Sequence, residues 1–243
     1  MPTNRAVSRI SRVFPDRVEV RGRDLVGDLM GRLSFTAYFH LLLTGNEPNE
    51  DECFFLDLLL VAIAEHGMMP SNVAARITLA ADPESLHGAV AAGILGAGPV
   101  ILGTSEACAR LLEAGGEPLE VARTTHASGG KVPGFGHPVH RAVDPRAERI
   151  LELADARGVS AANVAYARRL RDAVAEVWGK PLPMNVALAT AAVLLDLGFS
   201  ADVVKAVPIL ARTAGLLAHL VEERELASGF LLARAAEEAV EHE

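Results

Sequence analysis

Apolar residues recur at helical spacing along almost the whole of this 243-residue chain, and this pattern constrains the fold more than any other feature. Leu, Ala, Glu and Arg are frequent, aromatic residues make up only 5% of the sequence, and β-branched alternation is almost absent. Only residues 18–21 fit a strand, as part of a small N-terminal hairpin. The pattern therefore predicts an all-α fold of nine or more helices. The predicted helices cover residues 35–44, 52–66, 85–96, 105–114, 147–157, 161–178, 186–197, 203–220 and 226–238.

The length and the distribution of apolar residues fit one large domain, or two lobes that share a core. No run of 18 or more apolar residues lacks a charge or a turn signal, so no membrane span is predicted. Residues 1–14 contain three arginines and no continuous apolar stretch, which predicts a cytoplasmic protein without a secretory signal. Cys53 and Cys108 lie far apart in apolar surroundings, so we expect buried free thiols and neither a disulfide nor a zinc site.

The net charge and the clusters of small residues limit the kinds of molecule that the chain can bind. The formal net charge of −8 disfavours nucleic acid, so a phosphorylated ligand has to be met by a local basic cluster. Small residues crowd stretches 89–98 and 187–192, which permits helices to approach closely in a core or at a dimer interface. Small-molecule binding and self-association are therefore the expected kinds of contact.

One irregular stretch, residues 128–144, interrupts the helical pattern. It holds four glycines, two prolines, two histidines and two basic residues. Long loops without secondary structure are often functional. Glycines let a flat ligand approach the backbone and prolines restrict the loop, so we expect His137 to be held at a fixed point. Its neutral imidazole can take a proton from a hydroxyl or return one to a carbonyl, although a loop histidine can also be structural or simply exposed.

Two arginines follow this histidine at short spacing. Arg141 and Arg146 lie four and nine residues further on. The guanidinium group presents a fork of N–H donors that suits phosphate and carboxylate oxygens. These arginines are candidates for an anion site, with solvated surface charge as the alternative.

Residues 134–147, GFGHPVHRAVDPRA, resemble the signature of citrate synthases and citryl-CoA lyases, in which GFGH precedes DPRA at this spacing. Residues 21–25 and 34–48 resemble the N-terminal pattern of that superfamily, and residues 211–223, ARTAGLLAHLVEE, resemble its penultimate helix. The resemblance covers almost the whole chain. It implies a citrate synthase-like multi-helical fold and a homodimer or higher homo-oligomer. It also implies a large lobe of about residues 1–105 and 206–243 and a small lobe of about 106–205.

The same resemblance implies roles for individual residues. His137 corresponds to the histidine that exchanges a proton with the carbinol or carbonyl oxygen. A substrate polycarboxylate is expected to be bound by His66, Arg146 and Arg212. Coenzyme A, bound as a thioester substrate and without a metal ion, is expected to contact Lys131, Gly134, Phe135, Gly136 and Arg141.

Two positions depart from the family pattern. Ile101 stands where the family has a histidine that hydrogen-bonds the thioester oxygen, and Ala187 stands where it has the aspartate that moves the proton of the acetyl methyl group. His87, in a short LHG sequence, lies fourteen residues too early to replace the histidine. Asp196 lies two and a half helical turns beyond Ala187, too far to replace the aspartate. Hydrogen bonds to an enolate can still come from Thr104, Ser105, Asn185 or Thr190.

These departures favour cleavage over condensation. A retro-Claisen step needs a base for the carbinol proton, but the enolate that it produces needs only a hydrogen-bond donor or a path for a proton from solvent. The chain also lacks the long N-terminal part and the C-terminal extension of full-size citrate synthases. It therefore resembles the short citryl-CoA lyases, including the lyase module of ATP-citrate lyase. The sequence predicts a lyase that converts citryl-CoA to acetyl-CoA and oxaloacetate. The alternatives are a condensing enzyme or lyase for another acyl-CoA, and a non-catalytic protein that binds CoA and a polycarboxylate.

Overall fold

The computed structural model describes residues 6–137 and 139–241, so residues 1–5, 138 and 242–243 lie outside it. The chain divides into two compact units, Met1–Asp57 and Leu58–Glu243. Helices dominate both, which confirms the predicted all-α class. The predicted lobe boundaries stay a prediction.

The first unit contains the strands that the structure describes. Strands β1 (Ser11–Val13), β2 (Val18–Val20) and β3 (Arg23–Asp24) form an antiparallel sheet in that order. Strand β2 is the strand predicted at residues 18–21. A π-helical turn, Leu25–Leu29, follows, and then helix α1 (Phe35–Thr44). Helix α2 (Glu50–Ala64) begins here and ends in the second unit. The core of this unit contains Val20, Leu29 and Leu41.

The second unit consists of helices in the part of the chain that the structure describes. Their bounds are α3 (Pro70–Ala81), α4 (Leu86–Ile101), α5 (Thr104–Ala114), α6 (Pro118–Ala127), α7 (Pro145–Ala156), α8 (Ala162–Trp178), α9 (Val186–Asp196), α10 (Ala201–Val204), α11 (Ala206–Leu226) and α12 (Gly229–Glu238). Helices α3, α4, α11 and α12 pack together, and helices α5 to α9 form a second packed group.

Small residues let helices α3, α4 and α11 approach closely, as the composition predicts. Ala75, Ala89 and Leu216 belong to their shared apolar core. A Cβ atom added at Gly93 of α4 would lie only 2.6 Å from a methyl carbon of Leu216. A larger residue at this position therefore requires the buried Leu216 side chain to shift.

The predicted helices do not include α3 and α6. Both begin at a proline, Pro70 and Pro118, which occupies the first helical position where its missing N–H costs nothing. Helix α3 also buries Ser71, Asn72 and Arg76 beside its apolar residues, so its buried face does not stand out as hydrophobic.

The irregular stretch is present where it was predicted. Helix α6 ends at Ala127 and helix α7 begins at Pro145, and the described residues between them contain no helix. The side chain of Asp144 accepts a hydrogen bond from the backbone N–H of Arg146 and so caps helix α7. This cap fixes the end of the loop that leads to Arg146 at the start of helix α7.

Both cysteines are free, as predicted, although Cys53 is only partly buried. Burial raises the pKa of the Cys108 thiol to about 12, so this thiol stays protonated at neutral pH.

Two helical stretches, Leu86–Ala114 and Ala201–Leu226, are long and apolar enough to cross a membrane by length and composition alone. Of their apolar windows, 22% and 44% are buried inside the structure. The first stretch joins α4 and α5, and α4 itself is kinked at Gly98. Buried core helices of other proteins have the same length and composition.

Candidate active site

The glycine-rich loop is tied to the segment that leads into helix α9. The backbone N–H of Gly136 donates to the carbonyl of Pro183 at 2.9 Å, and the backbone N–H of Asn185 donates to the carbonyl of Gly134 at 2.9 Å. The side-chain amide of Asn185 also donates to the carbonyl of Gly136 at 3.2 Å. These bonds fix the loop immediately before His137.

Gly134 has to be glycine for two reasons. Its φ of +89° lies in the left-handed region that other residues rarely adopt. An added Cβ atom would also lie 2.5 Å from Cβ of Leu188 and 3.0 Å from Sγ of Cys108. The loop therefore packs directly onto helices α5 and α9.

His137 is oriented by backbone groups of its own loop. Its Nδ1 atom accepts hydrogen bonds from the backbone N–H groups of Val139 and His140, at 3.1 and 3.0 Å. The Nε2 atom lies 3.2 Å from Nε2 of His66, and a terminal guanidinium nitrogen of Arg146, which can only donate, lies 3.3 Å from it.

Both histidines are held in their neutral form. Burial is the main cause that lowers the pKa of His66, and the charges of Arg146 and Arg212 lower it further. Burial also lowers the pKa of His137, and the neighbouring His140 adds to the effect. Since the ordinary pKa of histidine is near 6.5, both rings are neutral at pH 7 and available for proton transfer.

Arg146 is held by the buried carboxylate of Asp144, which the sequence indicated only as part of the DPRA motif. Asp144 is fully buried and accepts hydrogen bonds from Arg146 Nε at 3.1 Å and from a terminal nitrogen at 2.9 Å. It also accepts from the backbone N–H of Val186 at 3.1 Å, at the start of α9. Burial raises the pKa of Asp144, but the bonds and charge of Arg146 outweigh that effect and leave it lowered.

Arg212 is the opposite case: it forms no ion pair with any described carboxylate, although the charge of the nearby Glu65 raises its pKa. Its side chain lies on α11 and only 4% of the residue is exposed. Among the described residues, Nε and one terminal nitrogen have no hydrogen-bond partner. Burial, the larger effect, lowers its pKa. A buried guanidinium with unsatisfied donors is costly, so this geometry is that of a site prepared for an anionic ligand.

A second group of polar residues, missed in the sequence analysis, supports His66. The Glu65 carboxylate accepts hydrogen bonds from the backbone N–H groups of His66 and Gly67, at 2.8 and 2.6 Å. It also lies 2.9 Å from Nε2 of His219 on α11. The buried Arg76 donates to Nδ1 of His219 at 3.0 Å. In the sequence, this group is indicated only by two short segments, EHG at residues 65–67 and AH at residues 218–219.

The four residues predicted to bind a carboxylate substrate or transfer its proton line one cavity of about 240 Å³. His66, His137, Arg146 and Arg212 contribute its polar part. The two departing positions, Ile101 and Ala187, line the same cavity, and its apolar wall is completed by Ile63, Met69, Val100, Leu102 and Pro208. Polar and apolar halves therefore share one small space.

A larger cavity of about 720 Å³ adjoins it, since Gly136, His137 and Asn185 line both. Lys131, Gly134 and Phe135 line the larger cavity as well. The sequence analysis missed Trp178 and Lys180, which lie at the end of α8 and just after it and also line this space. The lining thus combines apolar surface with two lysines.

Several of the other predicted candidates lie outside both cavities. Arg141 is exposed and lines neither cavity, and His87 is exposed on α4. Thr190 is fully buried and faces neither cavity, whereas Thr104 lines both. Among residues 6–137 and 139–241, no cluster of three or more His, Cys, Asp or Glu residues is arranged to hold a metal ion.

The chain is similar to known proteins in both sequence and structure. Residues 8–234 match the family profile described as citrate synthase, C-terminal domain. A citrate synthase of Haloferax volcanii is 30% identical over 79% of this chain and 52% of its own length. The chain spans about half the length of such citrate synthases.

Two solved structures share the fold. The citryl-CoA lyase of Hydrogenobacter thermophilus superposes with a TM-score of 0.83 at 29% identity, over 90% of this chain and 86% of that one. The ATP citrate lyase of Methanothrix soehngenii, solved with citrate and coenzyme A, superposes with a TM-score of 0.80 over 94% of this chain and 40% of that one. At 22% identity, the second likeness concerns the fold alone.

Proposed function

We propose, from the premise that this chain belongs to the citrate synthase family, that it is a carbon–carbon lyase acting on a 3-hydroxy-3-carboxyacyl-CoA. In the favoured case it cleaves citryl-CoA to acetyl-CoA and oxaloacetate. One observation carries the proposal: two neutral histidines and the partnerless Arg212 line a single cavity with Arg146. The likeness to a citryl-CoA lyase over most of both chains supports it.

The polar half of the small cavity suits the oxaloacetate part of such a substrate. Carboxylates on the substrate can satisfy the free donors of Arg212 and neutralise its buried charge. Arg146, held in place by Asp144, provides a second cation at the same cavity. His137 then contacts the carbinol oxygen with the nitrogen that faces the cavity.

The apolar half explains why we favour cleavage. An enolate left by breaking the carbon–carbon bond takes a proton readily from water, whereas removing a methyl proton from acetyl-CoA requires a positioned base. Ala187 cannot be that base, and Ile101 cannot donate a hydrogen bond to the thioester oxygen through its side chain. The remaining polar side chains near this half are those of Thr104, Ser105 and Asn185.

The larger cavity is our proposed site for coenzyme A. Its volume and mixed lining fit a long ligand with an apolar arm and a phosphorylated end, and Lys131 and Lys180 provide the cations. Arg141, the cation expected from the resemblance, stays a predicted contact. We also propose a cytoplasmic homodimer that needs no metal ion.

We expect Lys180→Glu to weaken CoA binding about tenfold, because reversing a charge beside a phosphate replaces attraction with repulsion. The weakening should shrink as salt rises, since exposed charges are screened over roughly 8 Å at physiological ionic strength. Isothermal calorimetry with CoA measures both effects. Arg234→Glu, an equal charge change on exposed α12, is the control. If Arg141→Glu weakens binding and Lys180→Glu does not, the phosphates lie at Arg141.

The reaction itself is tested by incubating the protein with a panel of 3-hydroxy-3-carboxyacyl-CoA thioesters and measuring product masses. Acetyl-CoA and oxaloacetate from citryl-CoA are the expected products. If no thioester in the panel is cleaved while citrate and CoA still bind, the chain is a binding protein and the lyase proposal is wrong.

The apolar wall favours a second candidate function, a lyase for a substrate with a hydrocarbon group on the carbon next to the thioester. Ile101 and Ala187 make room for such a group beside Met69 and Pro208. Preference for the branched members of the same panel would support this candidate over citryl-CoA.

Ala187→Asp separates the two candidates. If acetyl-CoA is the product, the restored carboxylate should raise exchange of its methyl protons with deuterated solvent, measured by mass spectrometry. Ala187→Asn has nearly the same size and no basic group, so it should show no gain. If a larger acyl group needs this space, both variants should lose native turnover and neither should gain exchange.

A further inference from the structure

The N-terminal end of helix α5 lies where the two cavities meet. Val100, Thr104 and Asn185 line both the larger cavity, proposed for CoA, and the smaller cavity that holds the two arginines. Ser105, the second residue of α5, lines the smaller cavity. The thioester group of the proposed substrate joins CoA to the acyl part, so it has to lie at this junction. Its oxygen is therefore expected near the first turn of α5.

The side chain of Ser105 is a buried donor that is free to bind a ligand. Only 4% of the residue is exposed, although it lines the small cavity. Among residues 6–137 and 139–241, none forms a hydrogen bond with its hydroxyl group. A buried hydroxyl without a partner costs free energy until a ligand or water satisfies it. The hydroxyl of Ser105 is thus available to an oxygen in the cavity.

The backbone supplies further donors at the same end of α5. The first N–H groups of an α-helix have no partner within the helix. The N-cap residue, Gly103, has no side chain to accept them, and no side chain within the described part of the chain caps this helix. The eleven residues of α5 also give this end a partial positive charge. Uncapped N–H groups beside a free hydroxyl suit an oxygen that becomes negatively charged.

The two other neutral polar side chains at the junction are already engaged. The hydroxyl of Thr104 donates to the carbonyl of Val100 at 2.8 Å. The amide nitrogen of Asn185 donates to the carbonyl of Gly136 at 3.2 Å, and its amide oxygen accepts from the backbone N–H of Ala187 at 3.1 Å. Ser105 is therefore the better candidate for a contact with the substrate.

The carboxylate of Glu106, in the first turn of α5, does not occupy the uncapped N–H groups. One of its oxygens lies 2.9 Å from a guanidinium nitrogen of Arg110, and the other lies 2.6 Å from Nζ of Lys205. Lys205 and Arg110 lower the pKa of Glu106 through these contacts. The one acidic side chain in this turn is thus paired with two cations and leaves the helix end free for another anion.

We propose that the hydroxyl of Ser105, together with the uncapped N–H groups of α5, binds the thioester oxygen and stabilises the enolate that cleavage produces. This inference rests on the proposed lyase function and assigns Ser105 a catalytic role. The side chain of Ile101 cannot donate to this oxygen, so the hydroxyl of Ser105, one helical turn further on, supplies the donor that position 101 lacks.

Ser105 acts in this step as a hydrogen-bond donor that keeps its own proton. His137 takes the carbinol proton, the role that the resemblance implies, and the electron pair of that O–H bond forms the ketone of oxaloacetate. The bond between the carbinol carbon and the thioester α-carbon breaks, and its electron pair becomes the enolate, with negative charge on the thioester oxygen. Water then protonates the α-carbon, and the proton on His137 passes to the hydroxide that results.

Binding of two CoA thioethers tests the assignment without requiring turnover. Carboxymethyl-CoA places a carboxylate where the enolate oxygen is expected, and S-isobutyl-CoA has nearly the same shape without the charge. With oxaloacetate present, we expect Ser105→Ala to weaken carboxymethyl-CoA about tenfold, because it loses a hydrogen bond to a charged oxygen. The affinity for S-isobutyl-CoA should change little. Isothermal calorimetry measures both affinities.

Thr190→Val is the matched control. Thr190 also has a buried hydroxyl with no hydrogen-bond partner among the described residues, but it lines neither cavity. Its removal should leave the ratio of the two affinities unchanged. In cleavage of citryl-CoA, Ser105→Ala should lower kcat by about 10² to 10³ with little change in KM, the usual loss for one oxyanion donor. Stabilisation by citrate, measured in both variants, checks that each is folded.

Two results would overturn the inference whatever the cleavage rate. If Ser105→Ala weakens both thioethers by the same factor, or leaves both unchanged, its hydroxyl does not bind the thioester oxygen. A loss confined to carboxymethyl-CoA supports the oxygen site. If that loss occurs while the unmodified protein cleaves no thioester in the panel, the oxygen site is retained and the lyase function alone is rejected.

Discussion

His137→Ala is expected to slow cleavage of citryl-CoA by about 10² to 10⁴, the range for loss of a positioned proton-transfer or oxyanion-stabilising group. Two backbone N–H groups fix this ring, and its Nε2 atom lies 3.2 Å from Nε2 of His66 at the cavity. Alanine removes this nitrogen from the carbinol oxygen while the bond breaks. The loss should appear in kcat, with KM changed little, because Arg146 and Arg212 still bind the carboxylates. Product release followed by mass spectrometry measures it.

His140→Ala is the matched control for this prediction. Its ring lies against that of His137, with centroids 4.4 Å apart, but it lines neither cavity. We expect its cleavage rate to stay within about tenfold of the unmodified protein, since it contributes contact to His137 and no group to the ligand. Cleavage by His137→Ala at a rate close to that of His140→Ala would mean that His137 does not act at the carbinol oxygen.

Arg212→Met is expected to stabilise the empty protein and to remove its stabilisation by citrate or oxaloacetate. Methionine fills much of the same space without burying donors that lack partners, so the free energy of unfolding should rise by about 1–3 kcal/mol. A ligand at 100 times its Kd stabilises the native state by about 2.7 kcal/mol. This stabilisation should largely disappear when the guanidinium group of Arg212 is no longer present to bind the ligand carboxylates. Thermal unfolding with and without citrate measures both changes.

Arg146→Met should change the empty protein in the opposite direction. Its removal leaves the carboxylate of Asp144 fully buried without its cation, so the Tm should fall rather than rise. The citrate-dependent shift should shrink in this variant too. A citrate shift of unchanged size in both arginine variants would contradict the carboxylate site itself.

The sequence alone determined the fold class and most of the candidate site. Helical spacing of apolar residues is a local property, so it predicted the helices that bury an apolar stripe. It failed at α3, where Arg76 and Asn72 occupy the buried face and are satisfied by partners on α11. Those partners are some 140 residues away in the chain, so no local pattern can show that a charged side chain is acceptable there.

The family resemblance likewise selected His137 and Arg146 in the loop signature, His66 in the EHG segment and Arg212 in the penultimate helix. Only the tertiary structure showed that Arg146 is already paired with Asp144, whereas two nitrogens of Arg212 have no hydrogen-bond partner within the described part of the chain. Pairing depends on which side chains meet after folding, and the two arginines look equivalent in the sequence. The same is true of Lys180 and Trp178, which come to the larger cavity from the end of α8.

The orientation of the His137 ring was also decided by tertiary structure. The sequence predicts a histidine that can exchange a proton, and either ring nitrogen can carry it. The backbone N–H groups of Val139 and His140 are directed at Nδ1, so Nε2 is the ring nitrogen that faces His66 and Arg146. The directions of these main-chain groups exist only once the loop is folded against α9, so residue types alone do not show which nitrogen reaches the cavity.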